Sequence, residues 1–511
     1  MLTGPKQLLS SMIQTVLNPL RKIGTGLTYY MGDSGKIIRD GEKFMFTELA
    51  DRAVASQQGH SSTYLGLPFL SLYHFHIFTG ENFVKEAVSY GEYSEKFPGK
   101  FDAKARSLFD PVKEFLGDPA IVNMNGKEVK AERFGIKNNL SQARAVSAAA
   151  NVFDRMLSNW AEEKSLNHII CYACTQIIAK AWYNLDEVPE ELIPLLKTAE
   201  YYVFNRDKVS DQDFENLRQQ IKDLNDRVIS EQEENIRKGE SYLTYLQEAR
   251  GKKRLADLNA LAGLVVEGNI TTVVTGALLQ IATNQELQNR LREEIKSINF
   301  DIGSPEGYQK LKELPLLHQV YLETLRYYSP SPPMARYASK AGTINGVHIP
   351  ARSYLFIPLR RVMHDPKQWS HPEIFDPSRH EAGSRRLNEF PLTPFSTGPR
   401  VCPASFGFAE AMFKIAIAKI IMNNELTLTS HADIETIPVE TKEPRFKQTY
   451  FVKLNNLAQK AESQAEVDLT PTQVLRMRGA TSYSPNTSSS STLENNTKIG
   501  PTQQQKQAYR V

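Results

Sequence analysis

The stretch from Leu258 to Ala282 is the most apolar in the chain, long enough to cross a bilayer or to run through a large protein core. Glu267 and Asn269 near its middle, with Thr271 and Thr272 beside them, decide between the two. A charge at a bilayer centre costs about 2.5 kcal/mol or more, whereas a helix inside a protein can give such groups partners. The chain is therefore expected to be built around one long buried helix. Its 511 residues, 41% of them hydrophobic, suffice for a large core. A formal net charge of +3 gives no electrostatic case for nucleic acid. Three cysteines exclude a disulfide framework.

Periodicity fills in the rest as mainly α with small β regions. Residues 64–78 alternate around Leu70, Leu72, Phe75 and Ile77 and predict a strand or hairpin, after which Thr79 opens a short helix through Val84 and Ala87. Residues 141–183 have helical spacing. Residues 211–250 carry charges at helical spacing and predict the exposed faces of two helices. Around Thr343–Pro350 the period returns to two, with Asn345-Gly346 as a hairpin turn. Cys171 and Cys174 form a Cys-x-x-Cys on an apolar helical segment with no second pair to complete a zinc site, so they are expected to pack in the core.

The ends differ from the body. Residues 1–32 hold Lys6, Arg21 and Lys22, no acid, and apolar residues at helical spacing. Two readings stand: an amphipathic membrane-surface or transit segment, or an extension lying on the domain. The expected compartment is cytoplasmic and soluble, or, on the first reading, an organelle or a membrane surface. Residues 1–40 are read as a basic amphipathic extension, 41–458 as the folded domain, and 459–511 as a polar, disordered tail.

The chemistry is concentrated in Phe395-Ser-Thr-Gly398-Pro-Arg400-Val-Cys402. A thiolate on a Gly/Pro-bearing loop suits the axial position of a haem iron. Gly398 permits close approach of backbone amides to sulfur, and Arg400 can pair with a haem propionate through its planar fork. A single cysteine beside a turn is, taken alone, more often a structural residue.

Upstream residues change that balance. Phe395 to Cys402 resembles the haem-binding loop of the cytochrome P450 superfamily, Phe-x-x-Gly-x-Arg-x-Cys. Glu323-Thr-Leu-Arg326 resembles its Glu-x-x-Arg signature, and Arg379, in Asp376-Pro377-Ser-Arg379, stands at its later arginine. The resemblance spans roughly residues 60–455. It implies a single haem domain with haem b as cofactor, Cys402 as iron ligand, Arg400 and Arg336 on the propionates, and a structural Glu323–Arg326–Arg379 cluster. It places Phe395 and Gly398 against the cofactor and adds Arg133 as a further propionate ligand. Gly268-Asn-Ile270-Thr271 aligns with the oxygen-pocket segment of the long helix, where Gly268 eases local opening and Thr271 handles dioxygen or its protons.

Three departures bear on function. Ile270 occupies the position where the family usually has an acid, and Glu267 the position of a small residue. Glu267 and Thr271 are i and i+4 on one helix face, so Glu267 either takes over proton relay, grips substrate, or pairs with a distant cation. Beyond the cysteine, Ala404 replaces a glycine, and the Phe408-Ala409 pair is displaced.

The resemblance implies a monooxygenase inserting one oxygen atom from dioxygen into a lipophilic small molecule. Electrons must come from a separate donor, a ferredoxin or flavin reductase, because the chain has neither a Gly-rich dinucleotide fingerprint nor an iron–sulfur cysteine set. Lys414 and Lys419 are candidate docking cations, against the commoner reading of solvated charge. Two other classes stay open: a reductase-independent peroxygenase, isomerase or dehydratase acting on an oxygenated lipid, and a non-catalytic haem protein that binds a ligand.

Overall fold

The computed structural model describes residues 44–67, 70–88, 142–160, 163–204, 209–231, 269–330, 333–381, 389–405, 407–430 and 448–460, with a few isolated positions between them. The chain divides at Asn456–Leu457 into two units, and the elements below all lie in the first.

A short π-helical turn, Phe44–Leu49, leads into α1 (Ala50–Ala55). The predicted hairpin follows as β1 (His60–Leu67) and β2 (Leu70–Phe78), antiparallel with a register shift at Leu65/Gly66. The predicted short helix is α2 (Glu81–Val88). Residues 141–183 are two helices, α3 (Gln142–Ser158) and α4 (Leu166–Tyr183). Between them β3 (Lys164–Ser165) leaves the helical path to pair with a strand near the C-terminal end of the unit. The side chain of Ser165 caps α4 by accepting from the His168 amide.

Next come α5 (Leu192–Phe204) and α6 (Asp211–Glu231), the latter alternating buried Phe214, Leu217, Ile221 and Leu224 with solvated charges. The second helix expected before residue 250 lies outside the described residues, as do the N-terminal extension and the tail beyond 460. Of the long apolar stretch, Thr271–Thr283 forms α7, buried on nearly every side. Among the described residues no helix is long and apolar enough to cross a membrane.

Helices α8 (Gln285–Lys296), α9 (Pro305–Glu313) and α10 (Pro315–Tyr328) follow in close succession. Asn284 caps α8 and Ser304 caps α9, while the Glu294 carboxylate accepts from the Leu316 and Leu317 amides at 2.8 and 2.9 Å to seal the start of α10. Gly276 lets α7 lie against α10, because a Cβ there would come within 2.5 Å of the Tyr328 ring.

Strand β4 (Met334–Ala338) is followed by the small hairpin β5 (Gly342–Ile344) and β6 (Val347–Ile349), then β7 (Ser353–Ile357). Asn345 and Gly346 both have positive φ, 45° and 78°, the geometry a two-residue turn with right-handed twist requires. The main sheet has order β1-β2-β7-β4, and β2 lies parallel to β7. A short helix α11 (Leu359–Met363), an irregular segment and 3₁₀ turns at Pro377–His380, Gly398–Arg400 and Pro403–Ser405 lead to α12 (Phe408–Met422). The strands β8 (Asn424–Leu428) and β9 (Phe451–Asn456) close a second sheet with β3. The core packs α3, α4, α7, α10 and α12 together.

Candidate active site

The Phe395–Cys402 loop is held by backbone geometry. Ser396 and Gly398 take left-handed conformations at φ 65° and 71°. The Cys402 amide donates to the Phe395 carbonyl at 2.9 Å, and the Val401 amide to Gly398 at 3.1 Å. On the far side, Ser405 donates to the Cys402 carbonyl from its amide at 3.1 Å and its hydroxyl at 2.8 Å. The loop is thereby pinned before and after Cys402, a residue that is neither buried nor fully exposed. One residue before α12, Gly407 has φ 99°, and a side chain there would press on Gln142 of α3. That glycine takes up the turn between the displaced Phe408-Ala409 pair and the 3₁₀ segment of Ala404.

Two guanidinium groups are buried on described elements of this region. Arg400 is 7% exposed on the loop, and Arg336 is 2% exposed on β4, donating to the Val88 and Ala335 carbonyls at 3.4 and 2.9 Å. A loop thiol with buried arginines nearby in the fold is a donor set that suits an anionic macrocycle whose centre takes sulfur.

Earlier in the chain than the loop, α10 carries a dense ionic knot. Glu323 and Arg326, one turn apart on α10, are both fully buried. Arg326 donates to Glu323 from Nε and Nη2 at 2.8 and 2.7 Å. Its remaining N–H groups reach the carbonyls of Met363, Pro372 and Ile374 at 3.1, 2.9 and 3.0 Å. All five donors are therefore used. Glu323 also accepts from the Asp376 amide at 2.9 Å, and Arg379 Nε stands 3.5 Å away. Arg379 further donates to the Ser370 and His371 carbonyls. Burial alone would raise the Glu323 pKa, but Arg326, His380 and the Asp376 amide together hold it below the usual carboxylate range.

His380 was not legible from sequence. It is buried, and its Nε2 lies 3.0 Å from Glu323 Oε2. Its position next to Arg379 was the only signal. Arg360 of α11 carried no sequence signal either: buried, it donates to the Tyr328 carbonyl at 3.0 Å and secures the end of α10.

Thr271 opens α7 and is buried, with its hydroxyl turned toward the Cys174 thiol of α4. Burial, with Cys171 adding, pushes the Cys174 thiol far up, and Thr271 opposes that only in part. Both thiols of the Cys-x-x-Cys are buried in α4. Among the described residues no cluster of three or more potential ligands could hold a metal ion. Gly268, Glu267 and Arg133 lie outside the described residues.

Lys414 is not exposed as a docking cation, and Lys419 is engaged in an ion pair. Lys414 is fully buried, 3.1 Å from Glu410 and donating to the Lys312 carbonyl at 2.8 Å. Lys419 is largely covered and pairs with Asp154 of α3 at 2.8 Å. The cause for Lys414 is α12 itself, which is apolar on nearly all sides and enclosed there, so its ammonium finds its partners inside.

Known proteins resemble this arrangement. The sequence signature described as Cytochrome P450 matches residues 172–450. Cytochrome P450 3A5 of Homo sapiens is 32% identical over 182 residues, 35% of this chain and 36% of that protein. Thromboxane-A synthase of Sus scrofa is 38% identical over 148 residues, 29% of this chain and 27% of that protein. The alignment thus spans about a third of the curated relatives it matches. The solved structure of cyanobacterial CYP120A1 with retinoic acid bound shares the fold at TM-score 0.63 and 19% identity, covering 75% of this chain and 90% of that one.

Proposed function

The chain belongs to the cytochrome P450 family, and from that premise we propose that it is a haem-thiolate monooxygenase acting on a lipophilic small molecule with electrons from a separate donor. Members of the family bind haem b, which supplies the dioxygen and electron chemistry when bound. The observation that carries the reading is the Cys402 loop, pinned by hydrogen bonds on both sides of the sulfur-bearing residue.

Each residue has a task in this reading. Cys402 offers its sulfur, deprotonated, to the haem iron, and the hydrogen bonds on either side of it fix the sulfur's direction before the group arrives. Phe395 packs beside the sulfur, and Gly398 lets the backbone approach. Arg400 and Arg336, with Arg133 as a weaker candidate, neutralise the carboxylates of the macrocycle. Glu323, Arg326 and Arg379 keep the segment before the loop in place. Thr271 and Gly268, with Glu267 in place of the acid missing at Ile270, are proposed to hold and move protons on the oxygen-binding side. The domain proposed to do this is 41–458, with 1–40 as a peripheral segment and 459–511 as a tail. A ferredoxin or flavin reductase is the proposed electron source. It docks through residues other than the buried Lys414.

A second reading has a specific observation behind it. Ile270 stands where the family usually places an acid, and thromboxane-A synthases are among the relatives, one from Rattus norvegicus at 40% identity over 149 residues. That combination supports a reductase-independent rearrangement of an oxygenated lipid. Purified protein assayed with reductant and dioxygen, and separately with a lipid hydroperoxide and no reductant, distinguishes the two. Turnover in neither assay favours a ligand-binding role. A reduced carbon monoxide spectrum unchanged by Cys402→Ala refutes all three.

A further inference from the structure

A threonine in a helix has a partner close at hand, because its hydroxyl can turn back to the carbonyl one turn earlier. Elsewhere on the described helices that bond is made. Thr175, Thr198 and Thr283 donate to the Cys171, Pro194 and Leu279 carbonyls at 2.9 Å, and Thr324 donates to Val320 at 2.6 Å. Thr275 of α7 breaks the pattern. It is 1% exposed, and its hydroxyl bonds neither the Thr271 carbonyl nor any other group among the described residues. Thr271, 7% exposed, is equally without a partner among them.

The two hydroxyls belong together. Positions i and i+4 share one face of a helix, with Cβ atoms about 5–6 Å apart. Helix α4 packs against α7, but a thiol such as that of Cys174 is only a weak donor and acceptor, and it does not satisfy Thr271. Val273 and Val274, buried in the same turn, show that a β-branched side chain packs into this helix without an oxygen. Stranding two buried hydroxyls side by side is costly, and protein interiors answer such groups with ordered water. Each hydroxyl reaches about 2.8 Å to a partner, so the gap is that of two such bonds. One water fills it, accepting from one threonine and donating to the other, within the range of about two to four bonds that a buried water makes.

We propose that one water molecule is built into this face of α7 between Thr271 and Thr275, which makes Thr275 a positioning residue for the Thr271 hydroxyl. The water fixes the direction in which that hydroxyl points, and Thr275 holds the water. The site itself stands on the two buried hydroxyls alone. Its consequence for chemistry rests on the reading of Thr271 as a proton-handling residue on the oxygen-binding side. In that reading Thr275 touches neither substrate nor oxygen and acts only through the water.

The test is a double-mutant cycle on the haem-loaded full chain, with Thr271→Val, Thr275→Val and the double variant unfolded in urea. A single valine strands the water and the other hydroxyl, so each should lower the folding equilibrium about fivefold, and the double variant should lose no more than either single. Two merely stranded hydroxyls give the opposite: valines that are neutral or stabilising, with additive effects. Additive effects, or a Thr275→Val variant as stable as the wild type, overturn the proposal. So does a Thr271→Val effect that vanishes in a Cys174→Ala background, since the thiol would then be the partner. A crystal structure should show the water within hydrogen-bond distance of both oxygens, and its absence overturns the proposal as well. The positioning role is read with reductant and dioxygen, where dioxygen that leaves with two electrons and two solvent protons is hydrogen peroxide. Thr275→Val should release more peroxide per electron than the wild type, and Thr275→Ser, which keeps the hydroxyl, should not. Release raised in Thr271→Val but unchanged in Thr275→Val overturns the positioning role. Release unchanged in both, with the stability coupling intact, is the failure of the Thr271 reading, and the positioning role falls with it.

Discussion

Replacing Arg326 by lysine keeps the charge and should still be among the most damaging changes in the chain. The guanidinium fills five acceptor positions, two on Glu323 and one each on Met363, Pro372 and Ile374. A lysine ammonium brings three donors on a single nitrogen, so at least two buried acceptors are stranded. Each stranded group costs about 1–3 kcal/mol, and opening a buried ion pair costs about 3–5 kcal/mol; the two estimates agree on a loss near 4 kcal/mol. Arg379→Lys is the control. Its contact to Glu323 is 3.5 Å, and its bonds to the Ser370 and His371 carbonyls are exposed to water that can replace them, so the expected loss is at most about 1 kcal/mol. Urea unfolding followed by tryptophan fluorescence measures both, and Trp369, whose ring lies 5.4 Å from the Arg326 guanidinium, reports the site directly. Equal losses in the two variants, or less than about 1 kcal/mol for Arg326→Lys, would refute the argument from donor count.

Gly276→Ala drives a Cβ against the Tyr328 ring and should cost about 1–3 kcal/mol by overpacking, read in the same unfolding assay. His76 is buried beside His60, His74 and His348, and burial first, then those neighbours, lowers its pKa to about 3. The unfolded chain therefore binds a proton below about pH 6.5 that the native state refuses. That stability is whole above this pH and is lost as pH falls toward 3, by on the order of 1 kcal/mol per pH unit. His76→Phe should flatten the fall, and a denaturation series from neutral pH downward checks it. Glu323, held below 4.5, adds its own loss only under more acid conditions. Cys171 and Cys174 should resist iodoacetamide in the native protein and react after denaturation, as peptide mapping by mass spectrometry would show.

Local signals were the most readable. Asn345-Gly346 announced its own turn because only a few residues tolerate two successive positive φ values. The Glu323–Arg326 spacing put both groups on one helix face, but their burial and the presence of His380 depend on a segment some fifty positions further on. The apolar periodicity of 141–183 hid a break, because β3 is fixed by pairing Lys164 and Ser165 with Val452 and Phe451, partners no local pattern reveals. Lys414 departs from expectation in the opposite way. Its surroundings, apolar on nearly every side from Phe408 to Met422, mark a largely enclosed helix, so the neighbours of the lysine are a better guide than its type. Thr271 shows a further limit: spacing placed it on a helix face, but which neighbour that face meets, here Cys174, is set by how α4 packs.

The parallel contact between β2 and β7 governs how this protein can be made. His74 lies opposite Ser353 and Ile77 opposite Phe356, so the hairpin leaves a ribosome long before its neighbour is synthesised. Until then one rim of that hairpin offers free amides and carbonyls to any passing strand. Assembly is therefore slow by topology and open to off-pathway association. A fragment ending before residue 353 should be recovered as aggregate, and a higher yield of the intact chain should follow from slower synthesis at lower temperature.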